Sequence, residues 1–200
     1  MEKKIIITIG RQFGSGGLAV AQELGRRLGI PVYDSELITK AAQDSGFSAE
    51  FFENKDEKRG WASLLSLGFS SNENYMSDSG LFKIQSDTII KIAEQGSAVI
   101  VGRCSDYILR DMDCCLDVFL TSPEEIRAER VVERSRIPFE KALEEIIKRD
   151  KIRSEYYNYF TFGNWGMASN YDLCIDSSIL GIKGTADMII DFARKKGLVD

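Results

Sequence analysis

The run Ile5-Ile6-Ile7-Thr8-Ile9 leads directly into Gly10-Arg11-Gln12-Phe13-Gly14-Ser15-Gly16-Gly17 and then into Leu18-Ala19-Val20. β-Branched residues in series favour a strand, and a near-continuous apolar run favours one buried on both faces. The glycines that follow open a turn into a helix. The first amides of that helix have no intrahelical partner, so together with the helix dipole they favour an anion, and glycine lets the backbone approach it closely. The strict phosphate-loop pattern has two glycines separated by four residues, then Lys and Ser/Thr. Aligned on Gly16 as the second glycine, this chain presents Arg11, Gly16, Gly17 and Leu18, so three of the four signature positions depart.

Further along, Leu18, Ala21, Leu24 and Leu28 recur at helical spacing up to Gly29, a C-terminal stop. Ile30-Pro31-Val32-Tyr33-Asp34 reads as a short strand, and Ser35 as the cap of a helix through Ala42. A strand, turn, helix and strand of this size make one right-handed crossover, which puts Asp34 at a strand's carboxyl end, where parallel sheets bind ligands. Residues 45–80 lose the pattern and read as an inserted helical segment. Helical periodicity resumes over 81–95, and 98–102 is a continuous apolar strand with Arg103 just after it.

Residues 116–121 form another predicted strand, and Ser122-Pro123-Glu124-Glu125 predicts a capped helix with proline in its first position. That helix carries Arg127, Arg130 and Arg134 roughly on one face. Pro138 opens a further helix, predicted to end in the charged run 148–153. An aromatic segment, 156–166, a last strand, 171–176, and a closing helix, 185–196, complete the chain. Five strands alternating with helices predict a three-layer α/β/α fold on a five-stranded parallel sheet, in a single domain over residues 1–200.

Composition narrows the chemistry. The sequence has no histidine, which removes His-dependent triads and the commonest zinc sites and leaves carboxylates, Lys, Arg and backbone amides. Cys104, Cys114, Cys115 and Cys174 lack paired metal spacing and read as buried, reduced thiols. A net charge of −5 argues against polymeric nucleic acid as a partner, whereas local arginine clusters still suit a mononucleotide. No apolar run approaches the roughly 20 residues of a membrane span, and the apolar stretch after Lys4 is too short for a signal-peptide core. These features predict a soluble, cytoplasmic chain with no membrane partner.

Together, Gly14-Ser15-Gly16, Tyr33-Asp34, Val101-Gly102-Arg103, Phe119-Leu120-Thr121-Ser122-Pro123-Glu124-Glu125 with its arginine helix, Lys148-Arg149-Asp150 and Tyr171-Asp172-Leu173-Cys174-Ile175-Asp176 resemble one family over nearly the whole chain. The chain looks like the cytidylate kinase-like proteins, in the nucleoside monophosphate kinase branch of the P-loop NTPases. The resemblance implies transfer of the γ-phosphoryl group of ATP, with Mg²⁺, to a nucleoside monophosphate, CMP or dCMP before others. It implies that backbone amides of Gly14, Ser15, Gly16, Gly17 and Leu18 cradle the donor phosphates and that Asp34 holds Mg²⁺ through water.

By the same resemblance, Lys40 and Arg103 match acceptor-phosphate positions, and Arg130, Arg134, Arg149 and Arg153 match lid arginines that reach the transferred group. Residues 45–80 take the place of an acceptor-binding lobe, and 130–166 that of a lid with an aromatic segment. Gly17 and Leu18 provide neither the lysine nor the metal-binding hydroxyl of a usual member, and Arg11 is the nearest cation to replace the lysine.

Each element also has a plainer reading. The glycine turn can be a simple tight turn, and Asp34 only a helix cap. Arg127, Arg130 and Arg134, interleaved with Glu124, Glu125, Glu129 and Glu133, can be a solvated, salt-bridged face. The aromatic segment suits core packing or a homodimer contact as well as base stacking. The rival functions are a catalytically silent nucleotide-binding regulatory protein and a kinase for another small metabolite. A Rossmann oxidoreductase is disfavoured, because Gly14-Ser15-Gly16-Gly17 does not make a dinucleotide fingerprint.

Overall fold

Five parallel strands form one sheet in the order β2-β3-β1-β4-β5. The computed structural model describes residues 3–44 and 79–200, so the inserted segment expected over 45–80 lies outside the described residues except for its last two. Strand β1 (Ile6–Arg11) is central, flanked by β3 (Ala98–Val101) and β4 (Cys115–Thr121), with Ile6 opposite both Ala98 and Cys115 and Arg11 opposite Leu120. The edges are β2 (Val32–Tyr33), paired with β3, and β5 (Leu173–Asp176), paired with β4. The three-layer architecture is the one the alternation of strands and helices predicts.

Helices cover both faces, which is why β1 is apolar without alternation. On one face, Ile7, Ile9, Val99, Val101, Leu116, Val118 and Leu120 pack against α1 (Gly17–Leu28) and the closing helix α7 (Ser177–Lys195). On the other, Ile6, Ala98, Ile100 and Cys115 meet Ile38 of α2 (Ser35–Asp44) and Ile89, Ile92 and Ala93 of α3 (Ser79–Gln95). Burying each such isoleucine contributes about 1.5–3 kcal/mol. The short α4 (Ser105–Ile108) follows β3, and α5 (Glu124–Ser135) and α6 (Phe139–Thr161) pair beside the glycine turn through Ala128, Val131, Ala142 and Ile146.

Several local expectations need correction. Leu18, predicted on the buried stripe of α1, is 43% exposed; Val20, Ala21 and Leu24 carry the contact instead. Strand β2 shrinks to two residues, although Pro31 O still accepts from Val99 N at 2.9 Å. Asp34, not Ser35, caps α2, its Oδ1 accepting from the amides of Glu36 and Leu37, each at 3.0 Å. Pro123 is the residue before α5 rather than its first, with extended backbone, and Ser122 sits one residue too early for its hydroxyl to reach the free amides.

Helix α6 does not stop at the charged run. It runs on to Thr161, 23 residues in all, because Tyr156, Tyr157 and Phe160 keep helical spacing and pack on the neighbouring helices, the rings of Phe82 and Phe160 stacking at 4.2 Å. Helix α7 starts at Ser177, earlier than periodicity suggests, since Gly181 kinks it and hides its first turn from a pattern search. The four cysteines are free thiols, but Cys174 is exposed and Cys114 half-buried, whereas only Cys104 and Cys115 are buried. No helix among the described residues is long and apolar enough to cross a membrane.

Candidate functional site

The carboxyl ends of β1, β3 and β4 meet where the strand order reverses, the place at which open α/β sheets bind ligands. There β1 turns through Gly14 and Gly16, both at positive φ (+83° and +82°), into α1. Such alternation of handedness points successive amides inward, and the amides at the start of α1 have no intrahelical partner. A Cβ on Gly14 would lie 2.8 Å from the carbonyl oxygen of Arg127, so the loop rests directly on α5.

Ser15 is turned into the turn itself. Its hydroxyl donates to Gln12 O at 2.9 Å and its amide to the same carbonyl at 3.3 Å, while its own carbonyl accepts from Ser177 Oγ at 2.5 Å. Gly14 and Gly16 are half-buried at the rim, and Gly17 is buried over Arg11. Leu18 follows them on the exposed side of α1 and brings only its amide. Beside the rim, the kinked start of α7 holds Ile182 against Gly16 and leaves Ile179 and Leu180 exposed.

Helices α5 and α6 hold the loop from one side. Asp150 of α6 accepts from the amide of Phe13 at 2.6 Å and from Arg127 Nη1 at 2.5 Å, and the same Arg127 nitrogen donates to Phe13 O at 3.1 Å. Arg127 is only 3% exposed, so this is a buried ion pair rather than a solvated face. Burial nevertheless raises the carboxyl of Asp150, against the lowering effect of the Phe13 amide and Arg127. Arg130 Nη1 donates to Gly14 O at 3.4 Å and to Ser177 Oγ at 3.2 Å. Arg153 Nη1 donates to Arg11 O at 3.0 Å.

Three guanidinium groups surround the ring of Phe13: Arg134 at 5.1 Å, Arg149 at 5.2 Å and Arg153 at 5.3 Å from its centroid. Arg149 also pairs with Glu145 at 2.7 Å. Burial, and then the neighbouring Arg149, Arg103 and Arg134 set against Asp150, bring the guanidinium of Arg153 down to about 10, which leaves it charged at neutral pH.

Arg11 runs beneath this group. A Cβ on Gly17 would lie 2.8 Å from Arg11 Cγ and 2.9 Å from its Cβ, and one on Gly102 would overlap Arg11 Nη1. The side chain therefore passes under the first residue of α1 and ends at the tip of β3. Burial, then Arg153 and Arg103, push its pKa well below the ordinary value, while Asp34 and Asp150 act the other way. Arg103 belongs to a run of three residues at positive φ, Gly102 (75°), Arg103 (59°) and Cys104 (55°). Two of these are not glycine, a conformation that persists only where the surroundings impose it.

Of the residues predicted from sequence, Arg11, Arg134, Arg149, Arg153 and Arg103 thus converge at the loop mouth, with Asp34 near enough to act on Arg11 electrostatically. Arg130 instead braces Gly14. Lys40 is exposed on α2, and no contact among the described residues joins it to the cluster. Phe13, Arg127, Asp150 and Ser177 were not among the predicted site residues. The signal for Phe13 was an aromatic ring inside a glycine turn, and for Asp150 its place in a basic run.

The geometry offers amide donors and several arginines for a polyphosphate, with Asp34 and Asp150 facing the same cluster and Asp150 already engaged by Arg127 and the Phe13 amide. No group of three or more metal-ligating side chains occurs among the described residues. A divalent ion that arrives on phosphates needs only one or two carboxylates from the protein, so the residues present fit that mode.

Comparison with known proteins agrees with the fold. A curated cytidylate kinase of Pyrobaculum calidifontis is 29% identical over 194 residues, covering 94% of this chain and 92% of its own length. A crystal structure of an uncharacterized protein from Eubacterium ventriosum superposes with a TM-score of 0.75 at 30% identity, covering 96% of this chain and 99% of that one. Shikimate kinase from Acinetobacter baumannii, in complex with shikimate, shares the fold at a TM-score of 0.55 and 14% identity, over 98% and 96% of the two chains. The sequence profile of the cytidylate kinase-like family matches residues 6–179, from the first strand into the last helix, and the chain belongs to that family.

Proposed function

We propose that this chain transfers the γ-phosphoryl group of ATP to a small phosphate-bearing acceptor, with CMP or dCMP as the first candidates. The observation that carries the reading is the path of Arg11, whose side chain runs from the end of β1 beneath the start of α1, through the space that a side chain on Gly17 would need, and sets its guanidinium at Gly102 on the tip of β3. Family membership and relatives named cytidylate kinase support the acceptor class.

The catalytic task is alignment of two anions and stabilisation of spreading negative charge, which requires no covalent chemistry from the protein. Amides of Gly14, Gly16, Gly17 and Leu18 bind the donor phosphates, and Ser15 keeps the turn in shape. Arg11 takes the part of the absent lysine, its planar fork gripping phosphate oxygens in two places. Arg134, Arg149 and Arg153 meet the transferred group, while Arg130 braces the loop. Mg²⁺ bound with the nucleotide neutralises phosphate charge, and Asp34 is the carboxylate that would hold it through water. Arg103 and Lys40 receive the acceptor phosphate, residues 45–80 form the acceptor lobe, and 130–166 act as lid.

A second reading, a nucleotide-binding protein without turnover, is favoured by one observation: Leu18 stands where a usual member has its metal-binding hydroxyl. The deciding experiment measures phosphorylated product from ATP and Mg²⁺ with CMP, dCMP, UMP, AMP, GMP and non-nucleotide acceptors, against an acceptor-free blank. Phosphorylated CMP or dCMP supports the proposal. Product only from a non-nucleotide acceptor redirects it to another metabolite, and ATP binding without product from any acceptor establishes the silent reading.

A further inference from the structure

Phe13 stands in an unusual place for an aromatic ring. It lies in the glycine turn between Gln12 and Gly14, packs one side on the α5–α6 cluster with Val132, Ile137 and Leu143, and has three guanidinium groups around it. Its backbone is fixed on both sides of the ring, the amide by Asp150 and the carbonyl by Arg127. Those bonds fix the backbone from which the ring projects, and its packing on the α5–α6 cluster holds the ring itself.

Groups lying at most 5.3 Å from one point are within about 11 Å of each other, and partly buried charges are screened little by salt, so Arg149 and Arg134 act on Arg153 as like charges. The charges that face them are Asp150, whose oxygens already serve Arg127 and the Phe13 amide, and Glu145, which pairs with Arg149. Arg11 adds a further positive charge from below. Arg153 also holds the carbonyl of Arg11, and the surface that Arg134, Arg149 and Arg153 have in common is the negative face of the ring.

From this arrangement we infer that Phe13 is a positioning residue: it gathers Arg134, Arg149 and Arg153 over the phosphate loop before any ligand arrives, standing in for the anion they are to meet. The inference rests on the kinase reading for what that anion is, a phosphoryl group in transfer, but the gathering itself is a property of the ligand-free protein. An incoming phosphoryl group attracts full charges where the ring offers a quadrupole, so the guanidinium groups move from ring to anion over a short path. Their side chains have already given up most of their rotamer freedom when it arrives.

The test has two parts. Nitrogen-15 NMR of the arginine Nε–Hε groups in the ligand-free protein, assigned by single Arg→Lys variants, reads the gathering directly. Arg134, Arg149 and Arg153 should be shifted upfield by the ring relative to the exposed Arg136, and Phe13→Leu should abolish the shift while Phe13→Tyr keeps it. Steady-state kinetics then read the consequence. Phe13→Leu should lower kcat about tenfold with KM for ATP changed less than about twofold, and Phe13→Tyr should restore most of kcat.

Unshifted resonances in the wild-type protein overturn the inference whatever the turnover and whether or not a variant folds. An unchanged kcat in Phe13→Leu, or equal losses in the Leu and Tyr variants, overturns the positioning role. Shifted resonances in a wild-type protein that phosphorylates no acceptor uphold the gathering and defeat the kinase reading instead.

Discussion

Arg11 and Gly17 share one space: a Cβ on Gly17 would lie 2.8 Å from Arg11 Cγ. A side chain at the start of α1 and the arginine at the end of β1 are therefore alternatives, not additions, and on the proposed function the departure of this chain from the strict phosphate-loop pattern would be an exchange of one cation for another. The exchange makes a reciprocal prediction. Arg11→Ala should lower kcat/KM for ATP by about 10²-fold, as expected for losing one preorganised charge contact. Gly17→Lys alone should also lose activity by forcing Arg11 aside, whereas Arg11→Ala with Gly17→Lys should regain part of it. Turnover unaffected by Arg11→Ala would remove Arg11 from the mechanism.

Gly102 has the same dependence on Arg11 from the other end. A methyl group there would overlap Arg11 Nη1, and φ of +75° disfavours any Cβ. Gly102→Ala should cost about 1–2 kcal/mol of stability from the backbone alone. It should also reduce ATP turnover by displacing the guanidinium, a loss that disappears in the Arg11→Ala background. Thermal melts and kinetics on the two singles and the double separate these effects.

The buried pair of Arg127 and Asp150, at 2.5 Å, should be costly to break from either side. Asp150→Ala leaves Arg127 charged and unpaired in the interior and releases the amide of Phe13, a loss of about 3–5 kcal/mol. Arg127→Met with Asp150→Leu should recover much of that stability in urea denaturation without recovering nucleotide binding, because the loop amide still lacks its acceptor.

Asp117 faces Thr8 across the centre of the sheet, accepting from its hydroxyl at 2.5 Å, and burial is the main cause that pushes its carboxyl from 3.8 up to about 6. The folded protein therefore binds this proton more tightly than the unfolded chain does. Between about pH 4 and 6 the folded state holds more protons, so stability should fall as pH rises through that window and stay lower above it. Asp117→Asn, which keeps an acceptor for Thr8, should melt at a higher temperature than wild type at pH 7 and show no difference near pH 3.5. An equal gap at both pH values would exclude the carboxyl as the cause.

Much of the fold was legible because β1 and β3 are written as near-continuous apolar runs that end at glycine, and β4 as an apolar run broken by Asp117, and these three strands build the floor of the site. The helix ends were less legible. The charged run at Lys148 to Arg153 resembles a terminus only if charge is taken as a stop; nothing in it breaks a helix, and the aromatic residues beyond keep the period. Ser122 has the chemistry of a cap but the wrong offset, and its amide bonds Gln12 Oε1 at 3.2 Å instead.

In the site, the converging arginines were legible as a family pattern. What escaped was the division of labour among them, since Arg127, Arg130 and Arg134 occupy one helical face yet meet Asp150, Gly14 and Phe13 respectively. That division depends on which part of a folded loop each guanidinium meets, which spacing does not encode.

The loop is held by contacts that span most of the chain: Phe13 to Asp150 across 137 positions, Arg11 to Arg153 across 142, and Ser15 to Ser177 across 162. A growing polypeptide thus carries every glycine of its phosphate cradle from the start but gains the last of these braces only when Ser177 has been made. Such long closures are slow to form, so the cradle should be among the later features to mature during synthesis. Nucleotide capture by a nascent chain would then report that synthesis had passed α6 and the beginning of α7, and a ligand that binds only the finished cradle would draw the whole chain toward its native state.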